Sequence, residues 1–215
     1  MTKDKAYREI KRKIASEILK PGSRIVERDL CAMFGISRTP VREILRRLAG
    51  DGLIEVEQRR GYRVKKLSGD EIVAIFQARA AIEGMAARIA CHSRDEAFFR
   101  AVASLKRELQ TVNIDARTTD GIALGRRVHN SIIEASGNFL FHLFYDKLTD
   151  YALLTTNLTV KSVVIEKKSR DRHLEILEAI EARDPEESEK AMRVHLQETS
   201  RLLMERYYSA KSQFI

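Results

Sequence analysis

Apolar residues recur at helical spacing along most of the chain. Ile10, Ile14, Ile18 and Leu19 mark an amphipathic helix over residues 5–19, which Lys20-Pro21-Gly22 stops. A second helix runs from Glu27 to Met33 with Leu30, Cys31 and Phe34 on its apolar side, and Gly35 closes it because glycine adopts positive φ readily. Ser37 is a good N-cap for a third helix, Arg38 to Leu48, whose buried side is Val41, Ile44, Leu45 and Leu48. That leaves Arg38, Thr39, Arg42 and Arg46 pointing outward. Leu53–Glu57 and Tyr62–Val64 flank Gln58-Arg59-Arg60-Gly61, which predicts a β-hairpin with a basic tip.

Beyond Ser68 the spacing is helical throughout, with Ile72, Ile75, Phe76, Ile82 and Ala86, then Leu105 and Leu109, then Val128 to Ile133. Asn113–Gly121 is polar and predicts a loop, with Asp120 before the helix proper. Gly137-Asn138 ends a helix ahead of Phe139–Tyr145. Asp184-Pro185-Glu186-Glu187 starts the last helix with a cap, an N1 proline and acidic residues at the positive end of the dipole. The expected fold is mainly α: an N-terminal winged helix-turn-helix (three helices plus a β-hairpin wing) over residues 1–67, followed by an all-α antiparallel bundle of six to seven helices. Residues 68–78 are expected as linker and start of the first bundle helix, 79–210 as the bundle and 211–215 as a tail.

Composition narrows the class. Among 215 residues, 33% are charged and 44% hydrophobic, with no Trp, three Pro and ten Gly. This is the profile of a helix-rich globular chain and excludes a turn-rich sandwich, a fibre or a disordered tail. Cys31 and Cys91 sit in apolar helical patterns without metal-type spacing, so both are expected as reduced core residues. The basic start and the lack of an apolar run of bilayer length point away from a secretion signal or membrane span and toward the cytoplasm. The net charge of +8 is local: residues 1–67 hold 18 basic and 9 acidic residues, leaving 21 of the 39 basic and 22 of the 31 acidic for the rest. A basic excess confined to the helix-turn-helix points to a polyanionic partner, nucleic acid. Arg38 and Arg42, one turn apart near the start of the third helix, can reach base edges or phosphates in a major groove.

Three histidines fall on apolar helix faces in the second region: His129 with Ile132 and Ile133, His173 with Leu177 and Ile180, and His195 with Ala191 and Leu202. One such histidine is usually a hydrogen-bonded core residue, but three on separate helices suit a divalent metal site with open positions. His92 and His142 look peripheral. Arg79, one turn before Glu83, either pairs with it or holds an effector's acid group. Asn138 is either a helix cap or a cavity donor.

The run from Pro21-Gly22-Ser23-Arg24-Ile25 through Phe34-Gly35-Ile36-Ser37-Arg38-Thr39-Pro40-Val41-Arg42-Glu43 to Gly61-Tyr62-Arg63-Val64 resembles the GntR family of bacterial transcription regulators. The resemblance implies that Arg28, Ser37, Arg38, Thr39 and Arg42 touch the operator. It also implies that Gly61, beside Arg60 at the wing tip, approaches the minor groove. Arg79-Ala80-Ala81-Ile82-Glu83, His129 with Ser136-Gly137-Asn138, the stretch from His173 to Ile180, and His195-Leu196 resemble the FCD effector domain of FadR-like members. In its metal-binding branch an Asp four residues before the first histidine joins these three; here that position is Gly125. The implied protein is a homodimer, more often a repressor than an activator, on pseudo-palindromic double-stranded operator DNA in the bacterial cytoplasm, nucleoid-associated when bound. It is not an enzyme. Its effector, a small carboxylate, is expected at His129, His173, His195, Arg79 and Asn138, with zinc, nickel or manganese on the three histidines. The alternative is a metal-dependent hydrolase using the three histidines and a zinc-bound water, although no HExxH pattern is present and no carboxylate is well placed as a general base, Glu198 lying one turn beyond His195. A DNA-compacting architectural protein is a third reading, which the polar bundle interior disfavours.

Overall fold

The computed structural model describes residues 1–16, 18–57, 60–155 and 162–212, the side chains of 210–212 excepted. It divides into two compact units, Met1–Ser68 with Thr149–Asn157, and Gly69–Leu148 with Leu158–Ile215. The first begins with α1 (Lys3–Ala15), β1 (Arg24–Ile25), α2 (Glu27–Phe34) and α3 (Arg38–Gly50) and ends its N-terminal part in the hairpin β2 (Ile54–Glu57) and β3 (Gly61–Val64). Thr2 caps α1 by accepting from the Lys5 amide, and Ala6, Tyr7, Ile10 and Ile14 form its buried face. The helix stops at Ala15, earlier than the spacing predicts, and Ile18 is exposed. Gly35, at φ 62, ends α2 in the left-handed conformation that glycine adopts at least cost.

The sheet has one more strand than the sequence suggests. Gly22, at φ 78, turns the chain after Pro21, and its amide donates to Val64 O at 2.9 Å while the Val64 amide donates to Ser23 O at 2.9 Å. This draws Arg24 and Ile25 alongside Arg63 and Tyr62, giving an antiparallel sheet of order β1-β3-β2. Its inner residues Ile25, Ile54 and Val64 join Ile10, Leu30, Val41, Leu45 and Leu48 in one apolar core. Cys31 is only half-buried, so it is not the core residue expected; Cys91 is buried, and both are free thiols.

The second unit contains α4 (Gly69–Ala90), α5 (Glu96–Thr111), α6 (Thr118–Ala135), α7 (Phe139–Leu153), α8 (Val163–Glu181) and α9 (Pro185–Ser212), six helices among the described residues. The end of α7 belongs to the first unit. Helix α4 starts at Gly69, so nearly all of the stretch expected as linker is helical. The loop expected over Asn113–Gly121 is shorter, since α6 starts at Thr118 and takes Asp120 into its first turn. Asp184 caps α9, its carboxylate accepting from the amides of Glu186 and Glu187 at 3.1 and 3.0 Å. Helices α4 and α9 pack along their length, and α6 and α8 pack against each other beside them. Ile72, Phe76, Val128, Ile132, Ile176, Leu177, Met192 and Leu196 fill the interior.

Candidate functional site

Burial of Val41, Ile44, Leu45 and Leu48 turns the opposite side of α3 to solvent, where Arg38, Thr39, Arg42 and Arg46 are all exposed. Ser37 occupies the N-cap position with extended backbone, but its hydroxyl makes no capping hydrogen bond, so it does not cap as the sequence predicts. Its place beside the unpaired amides of the first turn favours an anion. Arg42 donates through Nε to Glu27 at 2.9 Å, and Arg28 lies 3.7 Å from Asp29. Arg38 forms no ion pair among the described residues, while Arg46 and Arg60 act electrostatically on Glu43 and Glu57. Lys3 with Glu43 at 2.6 Å and Arg47 with Asp4 at 3.1 Å instead tie α1 to α3. Gly61, at φ 92, opens β3 in a conformation that L side chains rarely adopt; of the basic tip, Gln58 and Arg59 lie outside the described residues.

In the second unit α6, α8 and α9 each bring one buried imidazole to a common point. The Nε2 atoms of His173 and His195 lie 3.1 and 3.2 Å from Nε2 of His129. One ligand atom from each of the three falls within 4.8 Å of the others. A carboxylate from α4 orients the group: Glu83 Oε2 lies 2.5 Å from His129 Nδ1, while its Oε1 accepts from Arg79 Nε at 2.6 Å. Burial alone would push the Glu83 carboxyl up, but Arg79 and His129 outweigh it and hold it at about 2. The carboxylate faces Nδ1 of His129 and turns its Nε2 toward the other two rings. His173 and His195 are held well below the ordinary histidine range, first by burial and then by neighbouring positive charge, so both rings stay neutral, the form that binds metals.

These residues fit a borderline divalent cation. Two nitrogens about 2.0 to 2.1 Å from one tetrahedral zinc lie about 3.3 Å apart, close to the 3.1 and 3.2 Å that separate His129 from the other two imidazoles. The fourth donor of the family pattern is absent, and its space is taken: a Cβ on Gly125 would lie 2.5 Å from His173 Cε1. Asp120 does not replace it, being exposed in the first turn of α6 and 3.9 Å from Arg117. Asn138 accepts from the amides of Leu140 and Phe141 at 3.0 and 3.4 Å and so caps α7. Arg79 is buried against Glu83 rather than turned to an open cavity. His142 is exposed, 3.5 Å from Asp146. Glu83 is the residue whose role the sequence did not disclose: its i,i+4 spacing from Arg79 was visible, its approach to His129 on another helix was not.

Residues 2–64 match the profile of the gntR family of bacterial regulatory proteins, and residues 74–198 match the FCD domain. The chain is 29% identical over 208 residues to the HTH-type transcriptional repressor RspR of Escherichia coli, covering 90% of this chain and 85% of that one. The structure of E. coli McbR/YncC superposes with a TM-score of 0.82 at 20% identity, covering 96% of this chain and all of that one. The Zn2+-bound FCD domain of TM0439 superposes with a TM-score of 0.56 at 23% identity over 67% of this chain and 99% of that one. FCD domains can therefore hold a metal. The helix-turn-helix with its three-stranded wing and the helical unit with its histidine cluster are thus the two parts of one known architecture, and the chain belongs to the GntR family of DNA-binding transcriptional regulators that carry an FCD domain.

Proposed function

We propose that this regulator is a homodimeric repressor whose helical unit senses a small carboxylic acid at a divalent metal, zinc, nickel or manganese, held by His129, His173 and His195. The observation that carries the sensor is the convergence of three buried Nε2 atoms, one of them oriented by Glu83. Bound there, the cation supplies a Lewis-acidic point for an acid's oxygens. The protein's own part is to keep His173 and His195 neutral, to turn Nε2 of His129 toward them, and to leave the Gly125 side without a competing carboxylate. RspR's name as a repressor supports the sign of regulation, and the zinc in the TM0439 domain supports the metal.

On the DNA side, α3 is the recognition helix. Arg38 and Arg42 read bases or phosphates, Ser37 and Thr39 contact the backbone, Arg28 flanks them, and Arg60 with Gly61 brings the wing to the minor groove. A two-fold operator needs a second copy. The apolar stripe Phe139, Leu140, Leu143 and Phe144 on α7 is exposed, Phe139 by 77%, and is the surface that copy covers. No helix among the described residues is long and apolar enough to cross a membrane; we place the protein with its operator in the cytoplasm. The hydrolase reading is set aside: the family is one of regulators, and Glu198 is bonded to Arg172 at 2.7 Å.

Footprinting on genomic fragments selected by the protein, with sedimentation of the free protein, tests this. A dimer protecting two symmetric half-sites about 34 to 36 Å apart is expected. A monomer protecting one unsymmetric site contradicts it. The effector must favour one arrangement of the two units, because equal affinity for both shifts nothing. DNA therefore weakens effector binding by the same factor as effector weakens DNA binding.

A further inference from the structure

Helix α7 is divided between the two units: Phe139–Leu148 belongs with the histidines and Thr149–Leu153 with the winged helix-turn-helix. The end of the helix is gripped there by three segments of the DNA-binding unit. Gly52, at φ 78, makes the turn that follows α3, and a Cβ on it would lie 2.5 Å from both Cε1 and the hydroxyl oxygen of Tyr151. Only glycine therefore admits the ring. Asp150 pairs with Lys11 of α1, both side chains half-buried, and the Tyr7 hydroxyl of the same helix donates to Asp51, beside Gly52, at 2.6 Å. The Lys65 ammonium, just after β3, stands 5.7 Å from the centre of the Tyr151 ring. In the other unit Tyr145 is 4% exposed, and its hydroxyl donates to Asn130 Oδ1 at 2.8 Å. Asn130 follows His129 on α6. Burial first, and then the Glu83 carboxylate, push the Tyr145 phenol above its ordinary range, so the hydroxyl keeps the proton it donates.

We propose that α7 carries the state of the histidine site to the recognition helix, with Tyr145 as its input contact and Tyr151, seated on Gly52, as a positioning residue for α3. This rests on the reading of the histidine cluster as the metal and sensing site. A cation that fixes His129 fixes Asn130 with it, and Tyr145 follows through the hydrogen bond. Tyr145 and Tyr151 are about 9 Å apart along the axis at 1.5 Å per residue, within one stiff helix. The close fit at Gly52 leaves no slack to absorb a shift, because packed contacts move together rather than deform. Gly52 follows the end of α3 at Gly50, so a displaced Tyr151 ring displaces the helix that carries Arg38 and Arg42.

The test uses the full-length protein, metal-stripped or loaded with zinc alone. The operator fragment selected by the protein is titrated by fluorescence anisotropy, and a chromogenic chelator measures zinc affinity in parallel. Zinc is expected to change the operator affinity of wild type by at least about fivefold, in either direction. Tyr151→Ala and Tyr145→Phe are expected to bind zinc as wild type does but to show the same operator affinity with and without it. Tyr151→Phe, which keeps the ring on Gly52, retains the response. A residue that only packs would lower the melting temperature without removing the zinc response. If Tyr151→Ala fails to bind operator at all, Tyr145→Phe, which removes a single oxygen, decides. A full zinc response in Tyr151→Ala and Tyr145→Phe overturns the proposal and leaves the metal site standing. Wild-type protein that binds zinc with no change in operator affinity does the same. Absence of zinc binding by wild type overturns it together with the metal-site reading.

Discussion

Two buried glutamates on neighbouring helices behave oppositely because of what each touches. Glu83 is ionised between Arg79 and His129, whereas burial alone pushes the Glu166 carboxyl up to about 7. Folded Glu166 thus keeps a proton that the unfolded chain releases near pH 4.5. Its stabilising contribution is complete below about pH 4.5 and is lost as pH rises through about 7. Glu166→Gln, which carries no proton to lose, is expected to gain on the order of 3 kcal/mol over wild type at pH 8 and little at pH 4.5. Urea denaturation at the two pH values checks this, and parallel stability curves would show that the carboxyl is ionised and paired in the fold. Helical spacing placed His129, His173 and His195 on inward faces correctly. It could not separate Glu166 from the charged residues around it, because a polar residue on a buried face and one on a solvated face differ only in the partner helix.

At the scale of elements, α3 and the α6–α8 seam carry the account. Arg38→Ala and Arg42→Ala are each expected to cost about 1 to 3 kcal/mol on the selected operator and to relax its sequence preference. Arg42 must leave Glu27 to do this, so its effect is the smaller. Gel-shift titrations on operator and scrambled DNA distinguish this from a uniform charge effect, in which both DNAs lose equally. In the seam, Gly125→Asp, which recreates the family's carboxylate in sequence, is expected to weaken zinc binding rather than strengthen it, since the new Cβ meets the His173 ring at 2.5 Å. Competition with a chromogenic chelator measures it, and tighter zinc binding would mean that His173 swings aside freely. The three N-terminal helices, the hairpin and the caps at Gly35 and Asp184 were legible from local pattern. The two-residue strand β1 was not, because it exists only through Gly22 and Ser23 bonding to Val64, a contact some forty residues away.

At the scale of the molecule, charge and function divide at the same place. The basic excess of residues 1–67 belongs to the unit that exposes α3, and the nearly neutral remainder belongs to the unit that buries three imidazoles. The family was visible in long motifs, and so was the missing carboxylate at Gly125. Whether three histidines make a site depended on distances between helices that no periodicity encodes. The most direct test of the sensor is a melting experiment on metal-stripped protein offered zinc and a small carboxylic acid, singly and together, with His129→Ala alongside. A ligand that binds only the native state stabilises it by about 2.7 kcal/mol at a hundredfold excess over its dissociation constant. Zinc alone is expected to raise the melting temperature, acid to raise it further only with zinc present, and His129→Ala to abolish both. A shift by acid alone, or zinc stabilisation that survives His129→Ala, would contradict it.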